Sequence, residues 1–169
     1  MARDSAVSAN GRFPLLPWAS PEAAAEVLHT APGATLAQLA DAEGSSYGAI
    51  DDSGRWVVMG RHDEKLTIWD TPSKSTSIVS MQGDGGHVQP IGLVFLPGST
   101  PCVVASSSPV ALLDVLHRRW LASWSPPGDE RFDVPMPQSD PAVSADGTRI
   151  ARRLENGGGV LVLRVEKEP

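Results

Sequence analysis

Four histidines and one cysteine are the side chains of this chain best suited to act as a base or a nucleophile. The histidines, His29, His62, His87 and His117, stand singly, and no histidines or cysteines are paired at the spacing of a zinc site. Cys102 lies in the apolar run CVVAS, which is typical of a buried, unreactive thiol. Neither H-E-x-x-H nor G-x-x-x-x-G-K-[ST] occurs. We therefore expect no enzyme activity, no metal and no cofactor.

The overall charge argues against a nucleic-acid partner. The 169 residues carry a formal net charge of -6, and the basic residues do not gather into the kind of patch that binds duplex nucleic acid. No apolar stretch approaches the roughly 20 residues that span a bilayer. The first residues lack the apolar segment of a secretory signal. These features predict a cytoplasmic protein that binds neither nucleic acid nor membrane.

The N-terminal fifth is predicted to differ from the rest. Residues 1–19 are expected to form a flexible arm, and 20–33 a short helix with a turn. Ser20 is a candidate N-cap, and Pro21 suits the first position of a helix running to about Leu28. Residues 34–169 form the main predicted domain.

Short apolar runs separated by turns fill this main domain and predict β-strands. The run from Thr35 to Ala40 contains good helix formers, but comparison with later runs favours a strand. The other predicted strands are YGAID, RWVVMG, LTIWD, TSIVSM, IGLVFL, CVVAS, VALLDV, LASW, PAVS, RIARR and VLVLRV.

These runs recur with a period of about 44 residues. Gly54, Gly98 and Gly147 each close a turn after a strand, 44 and 49 residues apart. Asp70 and Asp114 follow the first two glycines at the same distance of 16 residues. Four short strands per period predict an all-β fold, a partial or small β-propeller of about three four-stranded antiparallel blades, with the short helix preceding it. A sandwich or barrel is the alternative.

The sequence resembles the WD-repeat branch of β-propellers. The resemblance rests on Gly86-His87, on DSGRWVV and ADGTRIA after first strands, and on LTIWD at a third strand. It implies a buried network of histidine, serine or threonine, aspartate and tryptophan. The first unit supplies Asp63 and Trp69, the second His87 and Ser106, and no unit holds the full set.

Three blades are fewer than the four to eight that usually close a ring. The strand at Thr35 could complete the sheet of the last three strands. Three arrangements stay open: an open partial propeller, a fragment of a longer protein, and a dimer that completes a six-bladed ring.

The function predicted from these features is a non-enzymatic scaffold for protein partners. Loops on a rigid scaffold usually carry recognition, and the charged hairpin tip His62, Asp63, Glu64 and Lys65 is the candidate partner site. Two alternatives remain: a small all-β hydrolase or lyase with His87 or His117 as base, and a truncated piece of a multidomain regulator.

Overall fold

The computed structural model describes residues 6–16, 25–30, 34–39, 45–61, 63–81, 90–106, 109–125, 141–153 and 159–166. These ranges hold fifteen β-strands in four antiparallel sheets and no helix. Within each sheet, strands consecutive in the chain are hydrogen-bonded neighbours. Each sheet is therefore one blade of a partial β-propeller, and the sheets are numbered blades 1 to 4 in chain order.

Blade 1 consists of β1 (Ala6–Val7), β2 (Pro14–Leu16), β3 (Ala25–Leu28) and β4 (Thr35–Leu39). Blade 2 consists of β5 (Ser45–Ile50), β6 (Trp56–Arg61), β7 (Lys65–Asp70) and β8 (Ser75–Ser80). Blade 3 consists of β9 (Gly92–Phe95), β10 (Pro101–Ala105), β11 (Val110–Asp114) and β12 (Arg119–Trp124). Blade 4 consists of β13 (Ala142–Val143), β14 (Arg149–Arg153) and β15 (Val160–Arg164).

Blade 2 shows how the sequence builds a layer that is buried on both faces. Successive side chains of a strand point to opposite faces of its sheet. In β6, Val57 and Met59 join the core shared with blade 1, whereas Trp56 and Val58 join the core shared with blade 3. All four are buried. Burial on both faces explains why RWVVMG is a continuous apolar run rather than an alternating one.

Three apolar cores lie between consecutive blades. Phe13 of blade 1 and Trp69 of blade 2 belong to the first core. Leu66 of blade 2 and Leu113 of blade 3 belong to the second. Ile150 of blade 4 packs with residues of blade 3 in the third. The blades thus form one continuous stack, in which each sheet is covered by the next.

The first strands of the blades lie nearest to one another. β1 contacts β5, and β5 contacts β9. The fourth strands, β8 and β12, instead alternate exposed and half-buried residues along their length. The first strands therefore lie on the inner side of the arc and the fourth strands on its outer side.

Most strand predictions are confirmed. All eleven runs predicted after residue 40 contain a strand, with four in blade 2, four in blade 3 and three in blade 4. The run at Thr35 also forms a strand, β4, despite its helix-forming composition. Packing in a sheet outweighs intrinsic propensity there.

The predicted N-terminal helix is wrong over its described part. Residues 25–28 form β3, which is hydrogen-bonded to β2 on one side and β4 on the other. Ala25 and Val27 are buried, and the residues between and after them are only half-buried, which is the period of a strand. An isolated two-turn helix is marginal in water, so packing against blade 2 decides the outcome. Pro21 lies outside the described residues.

The predicted arm and the blade count also require correction. Residues 6–16, assigned to a flexible arm, form β1 and β2. They complete a further blade, so the described chain has four blades rather than three. Because β4 pairs with β3, the strand at Thr35 belongs to blade 1 and does not complete the last sheet.

The outward faces of blades 1 and 4 are covered by no other described blade. On the blade 1 end face, Val7, Leu16 and Leu36 are exposed, while the alternate residues pack toward blade 2. On the blade 4 end face, Val160 and Val162 are exposed, while Leu161 and Leu163 pack toward blade 3.

Candidate functional site

The charged tip predicted as a partner site is the turn between β6 and β7. Arg61 Nε lies 2.9 Å from one carboxylate oxygen of Asp63, and Lys65 Nζ lies 3.0 Å from the other. Hydrogen bonds from Arg61 and then Lys65 lower the pKa of Asp63 to about 2. Glu64 has a φ of 64°, in the left-handed region that a tight turn requires. His62 lies outside the described residues.

The internal pairing gives these charges a structural role. Asp63 pairs with the cations on either side of the turn. A partner would have to break these ion pairs before it could bind the same charges. Because the Asp63 side chain is 41% exposed, the ion pairs are screened by water and contribute little to stability.

A second set of turns, at the opposite ends of the strands, repeats from blade to blade. They join the first two strands of each blade and span residues 8–13, 51–56, 96–101 and 144–149. In each turn the backbone N–H of the first residue donates to the carbonyl of the sixth. We call these turns, together with the turns after β7 and β11, the turn rim.

Side chains reinforce the turn rim in the same way in blades 1 and 4. Ser8 Oγ accepts from the N–H of Phe13 at 3.0 Å, and Ser144 Oγ accepts from the N–H of Arg149 at 2.9 Å. The segments Ala6–Gly11 and Ala142–Gly147 read AVSANG and AVSADG. This identity in five of six positions is the sequence signal by which the first blade could have been found.

The repeat glycines occupy left-handed positions in these turns. Gly54 has a φ of 73° and Gly147 a φ of 69°. A Cβ on Gly54 would also lie 2.7 Å from the ring of Phe13 in blade 1. Gly98 has a φ of 64° but stands at the third turn position rather than the fourth, because Leu96 is the first residue of its turn. The predicted equivalence of Gly98 is therefore wrong by one residue.

Asp52 joins the turns of three blades. Its Oδ1 accepts from the N–H of Asn10 at 2.7 Å, and its Oδ2 accepts from the N–H of Gly98 at 3.0 Å. The Asn10 side-chain amide also donates to the Asp52 carbonyl at 2.6 Å. One carboxylate thus fixes the turns of blades 1, 2 and 3 as a continuous surface. No motif or spacing in the sequence singles out Asp52.

The two repeat aspartates, Asp70 and Asp114, stand at the outer turns of the rim. Asp70 accepts two hydrogen bonds from the Arg55 guanidinium, at 2.8 and 3.0 Å, and these lower the pKa of Asp70. Burial acts to raise the pKa of Asp114, but hydrogen bonds from His117 outweigh it, so the net direction is downward. Both aspartates therefore stay ionised. Asp114 caps the turn that follows β11, whereas Asp70 joins the end of β7 to Arg55 of the turn between β5 and β6. In blade 4, Arg164 stands at this position, opposite Arg149.

The contact between Asp114 and His117 is the arrangement closest to catalytic chemistry. Asp114 Oδ2 lies 2.8 Å from His117 Nδ1, a geometry that orients an imidazole as a base. The same carboxylate also accepts from the His117 N–H at 3.1 Å, as a turn cap does.

Cys102 is fully buried between blades 2 and 3, and burial raises the pKa of its thiol.

One nucleophile pattern was missed from the sequence. Residues 44–48 read GSSYG and match G-x-S-x-G, which marks a catalytic serine when it lies on a sharp strand-to-helix turn. Ser46 instead lies inside β5, between Ser45 and Ile50. The pattern therefore lacks the structural context that gives it catalytic meaning.

Trp69 and His87 are the other two repeat residues singled out from the sequence. Trp69 is buried between blades 1 and 2, and His87 lies outside the described residues. Within the described ranges, no three histidine, cysteine, aspartate or glutamate side chains form a group that could hold a metal ion. The described part of the chain also has no helix long and apolar enough to cross a membrane.

The turn rim presents cations outward and holds most of its acids inward. Arg12, Arg55, Lys74, Arg118 and Arg119 are exposed, and two of them, Arg55 and Arg119, also pair with Asp70 and Asp114. By contrast, Asp52, Asp70 and Asp114 accept hydrogen bonds and are at least half-buried, leaving Asp146 as the exposed acid of the rim. Leu116, 48% exposed, lies in the same turn as Arg118.

Comparisons with known proteins support the fold. The sequence matches no protein-family model and no curated protein. Kuenenia stuttgartiensis hydrazine synthase is similar in structure, with a TM-score of 0.69 and 14% identity over 95% of this chain and 45% of that chain. The crystal structure of RRP9 WD40 repeats has a TM-score of 0.56 and 14% identity over 94% of this chain and 49% of that chain. The likeness shows a β-propeller fold, and the chain spans about half the length of each of these structures.

Proposed function

We propose that this partial propeller is a non-enzymatic scaffold that binds an acidic segment of a protein partner on its turn rim. The proposal rests on the exposed side chains of Leu116 and Arg118, which lie in one turn of a rim that carries further exposed cations. A chain of net charge -6 that turns cations outward on one surface favours an acidic ligand there. Arginine is among the residues enriched at the energetic centres of protein interfaces, and Arg118 is exposed in the same turn.

The rigidity of the rim supports the same proposal. Asp52 connects three turns. Asp70 binds Arg55 of the turn between β5 and β6, and Asp114 caps the turn after β11. A surface held in one conformation loses little conformational entropy when a partner binds. The rim therefore has the preorganisation that a recognition surface needs.

The test compares two variant surfaces of the same chain. We expect Leu116→Ser combined with Arg118→Glu to weaken binding of an enriched partner at least about tenfold, or about 1.4 kcal/mol. Both side chains are exposed, so the fold should be retained. The matched control replaces His62, Asp63, Glu64 and Lys65 on the opposite rim with Ser, and we expect it to bind as the wild type does.

Two results would overturn the proposal. One is partner binding that survives the rim variant but is lost with the control, which would move the site to the charged tip. The other is turnover of an ester, phosphate or glycoside substrate that disappears in His117→Gln, because the Asp114–His117 pair would then be acting as a base.

A further inference from the structure

We propose that two copies of this chain join head to tail, blade 4 of each copy packing on blade 1 of the other, to close an eight-bladed ring. This assembly is independent of the partner proposed for the turn rim. It concerns the two end faces, which carry apolar side chains that no described part of the chain covers.

Strand register identifies what the blade 4 end face lacks. Ala151 pairs with Val162 as Val58 pairs with Ile68 in blade 2, so Val160 and Val162 are equivalent to Leu66 and Ile68. Leu66 and Ile68 are 0% and 1% exposed because blade 3 covers them. Val160 and Val162 are 62% and 58% exposed. A following blade would cover them in the same manner.

The blade 1 end face has the apolar surface needed to cover Val160 and Val162 of a second copy. Val7, Leu16 and Leu36 give it an exposed apolar centre, with Leu36 49% exposed. Glu26 lies on the same face, because its neighbours Ala25 and Val27 point into the core with blade 2. Its carboxylate accepts a hydrogen bond from Gln38 at 3.1 Å. The described part of this face is therefore apolar around one acidic group, Glu26.

Charge selects the head-to-tail arrangement over a pairing of identical faces. Arg149, Arg153 and Arg164 border the apolar centre of the blade 4 end face, and Arg149 is directly opposite Arg164 in the ladder. Two blade 4 faces brought together would oppose arginines to arginines. Pairing with the blade 1 face instead brings these arginines toward Glu26, so the interaction is attractive.

The blade count agrees with a closed ring. Two sets of four blades make eight, within the four to eight of ordinary propellers. The joint repeats twice around a two-fold axis, so both end faces of both copies are covered and no further copy can add.

Sedimentation velocity of the purified chain over a hundredfold concentration range tests the assembly. We expect a species with the mass of two chains that dissociates on dilution and on raising salt, because the joint contains charge pairs that salt screens. Val162→Asp and, separately, Glu26→Arg should each produce monomers, weakening association at least tenfold. Adding Arg153→Glu to Glu26→Arg should restore the dimer at least in part.

Leu121→Asp is the matched control, because Leu121 is 44% exposed on β12, the fourth strand of blade 3, and belongs to no end blade. It should leave the dimer intact. Circular dichroism establishes that each variant is folded. A wild-type chain that stays monomeric at all concentrations would overturn the proposal, as would a dimer unaffected by both Val162→Asp and Glu26→Arg.

Discussion

Blade 2 and blade 4 use the same hairpin register for opposite purposes. In blade 2 the central hairpin is covered on both faces, and its side chains are shared between two cores. In blade 4 the described residues cover the equivalent hairpin on one face only. The substitutions follow this difference: Arg149, Arg153 and Arg164 replace Trp56, Gly60 and Asp70. The comparison shows that backbone pairing defines which positions are equivalent between blades. The residue type at such a position depends on whether another blade packs against it.

The largest expected difference between interior and end faces is in core truncation. Leu66→Ala should lower the free energy of unfolding by about 2–5 kcal/mol, because it leaves a cavity between blades 2 and 3. Leu36→Ala, on the blade 1 end face, should lower it by less than about 0.5 kcal/mol. Urea unfolding at concentrations at which the chain is monomeric measures both. If Leu66→Ala does not fold, Ile68→Val should still cost about 0.5–1.5 kcal/mol. Equal losses at Leu66 and Leu36 would refute the distinction.

An intermediate effect is expected where the turn rim joins three blades. Asp52→Ala removes the acceptor of two backbone N–H groups in other blades and should cost about 1–2 kcal/mol, since water can replace part of the interaction. Asp52→Asn keeps one acceptor oxygen and should cost less. Hydrogen exchange of the Asn10 and Gly98 amides gives an independent measurement, with faster exchange expected in both variants. Unchanged exchange at both amides would show that the Asp52 contacts do not hold the turns together.

The smallest effect is expected at the exposed charged tip. Because folding lowers the pKa of Asp63 to about 2, below the usual value of about 3.9, its ion pairs stabilise the fold fully above about pH 4. That stabilisation is lost as the pH falls through about 2. Asp63→Asn should therefore cost less than about 0.5 kcal/mol at neutral pH, and less still in high salt. A carboxyl titration of Asp63 by NMR with its midpoint near 3.9 would contradict the ion-pair geometry.

The sequence predicted blades 2 to 4 well and missed blade 1. Long strands such as β6 and β7 are continuous apolar runs bounded by glycine and aspartate turns, and their period is visible. β1 and β2 have only two and three residues, and β3 lies within a run of helix-forming residues. Such short strands have no pattern of their own, and the packing that specifies them comes from residues of blade 2 such as Trp69. The match of AVSANG to AVSADG was the available signal.

The candidate site was less predictable than the fold. Charge density pointed to Asp63 and Lys65, whose charges the structure shows to be paired with each other. The role of Asp52 depends on hydrogen bonds to residues 42 and 46 positions away in the chain. No local pattern encodes contacts of that range, and they become visible only when the blades are stacked.

The Asp52 contacts also make the arc mechanically uneven. They connect the inner turns of blades 1, 2 and 3, and the equivalent turn positions in the other blades are Ala9, Pro97 and Ala145, which offer no carboxylate. Blade 4 is joined to blade 3 by its apolar core and by the buried Arg152, whose Nη1 donates to the Ser106 carbonyl at 2.6 Å. Bending of the arc should therefore concentrate at the interface between blades 3 and 4. Blades 1 to 3 should move as one rigid group, and blade 4 should move relative to them.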